Sequence, residues 1–153
     1  MIRNFFDNLF YRAPRSYVKM SLWLFFRKWQ VHGAKNIPKD AAIIFVVNHQ
    51  NAFQDAILVA CSTLDEPWFL TRAGVFKSKI ARAIFRAFHM MPVYRFRDGV
   101  KGLRNNDATI RQCVDLLKAR KSILIFGEGD QSMRYRLRTM QKGFARIALT
   151  VQQ

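Results

Sequence analysis

Ala42-Ile43-Ile44-Phe45-Val46-Val47 runs directly into Asn48-His49-Gln50-Asn51-Ala52-Phe53-Gln54-Asp55, and then into Ala56-Ile57-Leu58-Val59-Ala60-Cys61. The first six residues are short, uncharged and rich in β-branched side chains, which is the pattern of a buried strand. From Asp55 onward the pattern is helical. A histidine therefore stands where a buried strand ends, and a carboxylate where the next helix begins. In open α/β sheets the carboxyl ends of strands are where ligands bind.

The pairing carries chemistry. A neutral imidazole takes a proton from a hydroxyl near pH 7, and a carboxylate on its other nitrogen fixes the tautomer and stabilises the imidazolium that forms. The octapeptide 48–55 contains no serine or cysteine, which suits a substrate that brings its own hydroxyl. A plainer reading stands beside this one. Asn48 or Asn51 caps a helix, His49 lies in a solvated loop, and Asp55 favours the helix N-terminus.

The 153 residues fit one domain, and half of them are hydrophobic, enough for a core. Twenty-six basic residues against 10 acidic ones leave a net charge of +16. Such a surface calls for a polyanion: nucleic acid, anionic lipid or a phosphorylated substrate. Fourteen phenylalanines and three tryptophans favour a membrane surface, and the glycine-rich or RNP-like runs of basic RNA binders are not found, so no nucleic-acid partner is expected. Cys61 and Cys113 sit in apolar helical stretches and read as reduced core residues. No Cys/His spacing suits a metal, and neither a metal nor a redox cofactor is implied. His32 and His89 stand alone and read as structural. The first residues do not form a secretory signal, and no run approaches the ~20 apolar residues needed to span a bilayer.

Ile2, Phe5, Phe6, Leu9 and Phe10 recur at helical spacing, with Arg3, Asn4, Asp7, Asn8 and Arg12 opposite. Pro14 interrupts this helix and suits the first turn of a second one, Tyr17 to Phe26, bordered by Arg27 and Lys28. Residues 1–27 are therefore expected to form an amphipathic helical pair at a bilayer interface, ahead of an α/β domain over 28–153.

Within that domain Trp29 to Gly33 reads as a short strand, Trp68 to Thr71 as another, and Met91 to Tyr94 as a third, emerging into Arg95-Phe96-Arg97-Asp98-Gly99. Ser78 to Phe88 has an apolar stripe of Ile80, Ala83, Ile84, Ala87 and Phe88, with Lys79, Arg82 and Arg86 on the other face. That cationic face suits either solvent or an anionic surface. Asn105-Asn106-Asp107 offers N-cap chemistry for a helix carrying Ile110, Cys113, Val114 and Leu117. Ser122 to Phe126 is the second clear buried strand, ending at Gly127-Glu128-Gly129-Asp130-Gln131-Ser132. A basic loop with Arg134, Arg136 and Arg138 leads through Lys142-Gly143 to a last helix. The alternation of strands and helices predicts an α/β fold with a largely parallel sheet flanked by helices.

Three separated blocks, Asn48-His49…Asp55, Pro92-Val93-Tyr94-Arg95 and Phe126-Gly127-Glu128-Gly129…Ser132, stand in an order and at intervals that resemble the glycerophospholipid acyltransferases of the lysophosphatidate type. The resemblance covers residues 28 to 150. It implies transfer of a fatty acyl group from a thioester, acyl-CoA or acyl carrier protein, to the hydroxyl of a lysophospholipid acceptor. His49 would be the general base and Asp55 its partner, with direct attack and no acyl-enzyme. Arg95 would bind the acceptor's phosphate. Glu128 and Gly129 would match the third motif's Glu-Gly at the acceptor site, with Ser132, Arg134, Arg136 and Lys142 as accessory positions. The enzyme would sit at the cytoplasmic side of an anionic membrane, held by its N-terminal helices.

The chain also departs from the family pattern. Five residues separate His49 from Asp55, one more than usual, so the turn must absorb the extra residue. Where the third motif usually reads Phe-Pro-Glu-Gly-Thr-Arg-Ser, Gly127 replaces the proline, Asp130 the threonine and Gln131 the arginine. Glycerol 3-phosphate or another lysolipid is an alternative acceptor. A non-catalytic basic module binding anionic membrane or nucleic acid is the alternative of another class. The sequence stops within a helical pattern with no C-cap, so it is expected to be the N-terminal part of a longer domain.

Overall fold

The apolar run at 42–47 does form a strand, β1 (Ile44–Val47), and the other buried run forms β4 (Ile123–Phe126) beside it. The computed structural model describes residues 2–63, 66–94, 100–129 and 136–152, with side chains described except at 2–10, 52 and 100–105. Between these two strands the chain forms α2 (Ala52–Ser62), β2 (Trp68–Arg72), α3 (Lys79–Ala87), β3 (Met90–Val93) and α4 (Val100–Lys118). A long helix, α1 (Ile2–Phe25), comes before them and α5 (Gly143–Val151) after. The four strands make one sheet in the order β1-β4-β2-β3, every neighbouring pair parallel. The expected parallel α/β architecture is therefore present.

The pleat sorts the side chains. Ile123 and Leu70 point to the face covered by α4 and α5, where they pack with Met91, Cys113, Leu117 and Ile147. Cys113 and Leu117 are four apart on α4, so both fall on its inward face. Leu124 and Phe69 are register partners on the other face and are also buried. Ile123 and Leu124 are both fully buried in the central strand. Ile123→Ala is expected to lower the unfolding free energy by about 2–5 kcal/mol. Urea denaturation should show this as a lower midpoint at unchanged slope.

The helical N-terminus differs from the expected pair. It is one continuous helix, and Pro14 lies inside it. A proline in a helix interior removes one backbone hydrogen bond and costs about 3 kcal/mol, so neighbouring contacts must hold α1 together. Arg15, one residue on, donates from Nε to the carbonyl of Ala60 at 2.9 Å, and from its other nitrogen to the carbonyl of Thr63. These carbonyls end α2, where a cation complements the helix dipole. Arg12 pairs with Glu66 at 2.6 Å, and Tyr11 stacks on His89, which stacks in turn on Trp68. His89 is thus structural, as expected.

Two other expectations are corrected. Residues 29–33 form no strand; the segment before β1 holds only a 3-10 turn at Ala34–Asn36, entered through Gly33 at φ 74. Aromatic and β-branched composition without a neighbouring strand to pair with does not make a strand. Asn105-Asn106-Asp107 does not start a helix, because α4 begins earlier, at Val100.

Candidate active site

Parallel pairing in register brings the two strand ends level. Val47 is opposite Phe126, and Gly127 N–H continues the ladder by donating to the carbonyl of Val47 at 3.0 Å. Residues 48–51 and 127–129 therefore leave the sheet side by side at its carboxyl rim.

His49 lies on that rim. Its ring stacks on Phe126, with centroids 3.9 Å apart and planes 19° from parallel. Its Nδ1 is 3.2 Å from Oδ2 of Asp55. The His49 side chain is only 14% exposed and that of Asp55 16%, so the solvated-loop reading of the histidine does not hold. Asp55 comes from the first turn of α2 and reaches back over it. Its Oδ2 also accepts the backbone N–H groups of Gln50 and Asn51, each at 2.8 Å. Asn51 occupies the N-cap position but makes no side-chain cap bond. The aspartate instead accepts, from inside the helix, the N–H groups of the N-cap residue and of the residue before it, and the turn that it closes absorbs the fifth intervening residue. The pair meets despite the longer spacing. With Nδ1 directed at a carboxylate, Nε2 is left to exchange a proton with a substrate.

The second part of the rim is the turn after β4. Glu128 is 5% exposed, and its Oε1 accepts the backbone N–H of Arg138 at 3.3 Å. Gln141 N–H donates to the carbonyl of Gly127 at 2.7 Å. The buried carboxylate thus holds the basic segment 136–141 against the rim, with Arg136 and Arg138 exposed and Lys142 exposed at the start of α5. Gly129 adopts φ 70, a conformation L side chains rarely take. Gly127 stands where a proline would be usual, and packing explains the need for a small residue. A Cβ there would lie 2.5 Å from Met140 Sδ and 2.7 Å from Val46 Cγ1. Gly127→Ala is expected to destabilise by about 1–3 kcal/mol through overpacking. Adding Val46→Ala and Met140→Ala should return part of that loss in urea denaturation, since those are the atoms in the way.

Arg95, Ser132 and Arg134 lie outside the described residues. The strand that leads to Arg95 is described. Asn106 clamps its end at both atoms, Oδ1 accepting Tyr94 N–H at 2.9 Å and Nδ2 donating to Tyr94 O at 2.7 Å. Thr109 Oγ1 donates to the carbonyl of Pro92 at 3.0 Å. β3 and β1 are the two edges of the sheet, three strand spacings or about 14 Å apart. They open onto the same carboxyl rim.

Sequence reading missed Phe126 as a partner of His49, Asn106 as a strand clamp and Met140 and Gln141 as the backing of the glycine turn. The first had a signal, since Phe126 is the last residue of a buried strand. The others depend on tertiary placement. The cysteines are not nucleophile candidates. Cys113 Sγ rests 3.5 Å from Met91 Sδ in the core, and burial pushes its thiol up to about 12. Burial also raises the Cys61 thiol. Neither forms a thiolate readily near neutral pH.

Fold and rim together define a parallel α/β protein with a histidine–aspartate pair at the carboxyl edge of its sheet. A family model described as Acyltransferase matches residues 28–153. The chain belongs to the acyltransferase family. It is 26% identical over 124 residues to a chloroplastic 1-acyl-sn-glycerol-3-phosphate acyltransferase of Arabidopsis thaliana, covering 80% of this chain and 33% of that protein. It is 26% identical over 138 residues to the 1-acyl-sn-glycerol-3-phosphate acyltransferase of Borreliella burgdorferi, covering 88% and 52%. Its fold is similar to the crystal structure of the 1-acyl-sn-glycerophosphate acyltransferase of Thermotoga maritima, at a TM-score of 0.70 and 23% identity, covering 97% of this chain and 56% of that one. The chain thus spans from about a third to somewhat over half of the length of these proteins.

Proposed function

We propose that this chain carries the reaction centre of an O-acyltransferase that moves a fatty acyl group from a thioester to the hydroxyl of a lysophosphatidate-like acceptor. The observation that carries the reading is the contact between His49 Nδ1 and Asp55 Oδ2, set on the rim beside the glycine turn at 127–129. His49 Nε2 removes the acceptor's hydroxyl proton as that oxygen attacks the thioester carbonyl. The tetrahedral adduct collapses, the C–S bond breaks, and the imidazolium returns its proton to the departing sulfur. Asp55 stabilises the imidazolium between these two events. Arg95, as the residue that follows the clamped strand end, is the proposed phosphate contact, supported by the bidentate match of a guanidinium to phosphate. Arg136 and Lys142 add positive charge at the segment that backs the glycine turn. Acyl-CoA or acyl carrier protein is the proposed donor.

A lipid acceptor is reached from a membrane surface, and α1 is the proposed anchor. Tyr17, Met20, Trp23, Leu24 and Phe25 are all more than half exposed, and Lys19, Arg27 and Lys28 are exposed near them in the chain. Among the described residues no helix is long and apolar enough to cross a membrane; α1 is proposed to lie in the interface, and the cytoplasmic leaflet is the proposed side.

Thiol release from a long-chain acyl-CoA, with and without lysophosphatidate, tests the reading. Release that requires the acceptor supports it. Release at an equal rate without acceptor would make the protein a thioesterase instead. Release only with glycerol 3-phosphate would move the assignment to that acceptor.

A further inference from the structure

The apolar stripe of α3 faces the wrong way for a core helix. Ile80 is 73% exposed and Ile84 49%, and Phe88, at the end of the helix, is exposed as well. Ala83 and Ala87 fill out the same stripe and are also exposed. The contact with the domain is made by the narrower side bearing Ala81 and Phe85, and Phe85 packs edge-on against Phe76 at 5.2 Å. Ser78 caps the helix, its Oγ accepting Ala81 N–H at 3.0 Å, so this is a formed helix presenting a ridge.

Charge indicates what covers the ridge. Residues 75–88 contain Lys77, Lys79, Arg82 and Arg86 and no acidic residue. At 100° per residue, Lys79 and Arg86 border the ridge on its Ala83 side, and Arg82 lies about 160° round from Ile80 and Ile84. None of the three forms an ion pair with a carboxylate among the described residues. Arg82 and Arg86 also line a cavity of about 410 Å³ together with Trp68, Phe76, Met91 and the carboxylate-bearing Asp115 of α4. An apolar ridge with cations at its border and on the remaining exposed surface is the layout of a helix lying in the headgroup region of an anionic bilayer. A core-facing ridge needs no such charge, and a protein partner would have to supply acidic groups in register with it.

We infer that α3 is a second membrane-docking element, inserting Ile80, Ile84 and Phe88 into an anionic leaflet while Lys79 and Arg86 at the border of the ridge contact lipid phosphates. This rests on the reading that the acceptor is drawn from a membrane, and it adds a docking site outside α1. Two elements fix the orientation of the domain on the surface, which one helix alone does not.

The test places an environment-sensitive fluorophore on Ile84→Cys in the full chain, whose native thiols Cys61 and Cys113 are buried. Vesicles of mixed phosphatidylglycerol and phosphatidylcholine should shift its emission to the blue, and brominated lipid should quench it. Ile80→Asp with Ile84→Asp should lower vesicle partition tenfold or more. Lys79→Gln and Arg86→Gln should each lower it about fivefold on anionic vesicles only. A label still in water while the protein is bound through α1 would overturn the inference. So would a label already shielded before vesicles are added, which would mean that protein covers the ridge. Thiol release with a short-chain acyl-CoA and a water-soluble acceptor separates the two readings. It should survive the α3 variants, and its absence from the unaltered protein alongside ridge insertion would count against the acyltransferase assignment alone.

Discussion

Replacing His49 with alanine is expected to lower turnover by about 10²–10⁴-fold, the contribution typical of a positioned general base. The effect should fall on kcat, because the imidazole acts on a proton in the transition state and binds neither the acyl chain nor the phosphate. His49 also packs on Phe126, so the fold must be checked separately. His49→Gln keeps much of the packing volume and can still accept a hydrogen bond, but it is no base near pH 7. It should therefore be as inactive as the alanine variant while unfolding closer to the unaltered protein. Vesicle partition should not change in either variant. Acceptor-dependent thiol release within tenfold of normal in both would remove His49 from the mechanism.

Asp55 is expected to give two separable losses. Asp55→Asn retains an oxygen able to accept from Gln50 and Asn51, but not the charge that stabilises the imidazolium. Its amide can also impose the wrong tautomer on the ring. Turnover should fall by up to about 10⁴-fold, the size such a change has at a Ser-His-Asp site, with little change in stability. Asp55→Ala also removes the shared acceptor of two backbone N–H groups, both at 2.8 Å. It should lower stability by about 1–3 kcal/mol besides. Combining Asp55→Asn with His49→Ala should be no worse than His49→Ala alone, since the two act as one unit. Multiplicative losses in the double variant would make Asp55 a structural residue of the turn and nothing more.

The site was legible in part. His49 and Asp55 could be picked out because a buried strand, a short polar link and a helix follow one another in 20 residues or so, and local pattern is enough to place a strand end and a helix start. Their actual contact was not legible. Spacing alone left room for a capped helix and a solvated histidine, and only the three bonds on one oxygen of Asp55 show how the turn closes. Asn106 misled for a related reason. Asparagine favours caps, but α4 begins six residues earlier, and the Asn106 side chain reaches from that helix to clamp Tyr94 just past β3. The strand expected at 29–33 failed because strand propensity is fit to a neighbour, and no strand lies beside it.

α3 shows the same limit in another form. Its periodicity was plain, but periodicity reports that a face is apolar, not what the face meets. The sequence determined the elements: two buried strands, the alternation that makes the sheet parallel, the excess of positive charge, and the histidine at a strand end. Those follow from local composition and period. The tertiary structure decided that β4 inserts between β1 and β2, which no local pattern encodes. That insertion sets Phe126 under His49 and the glycine turn beside it, because parallel strands in register deliver their carboxyl ends to the same rim.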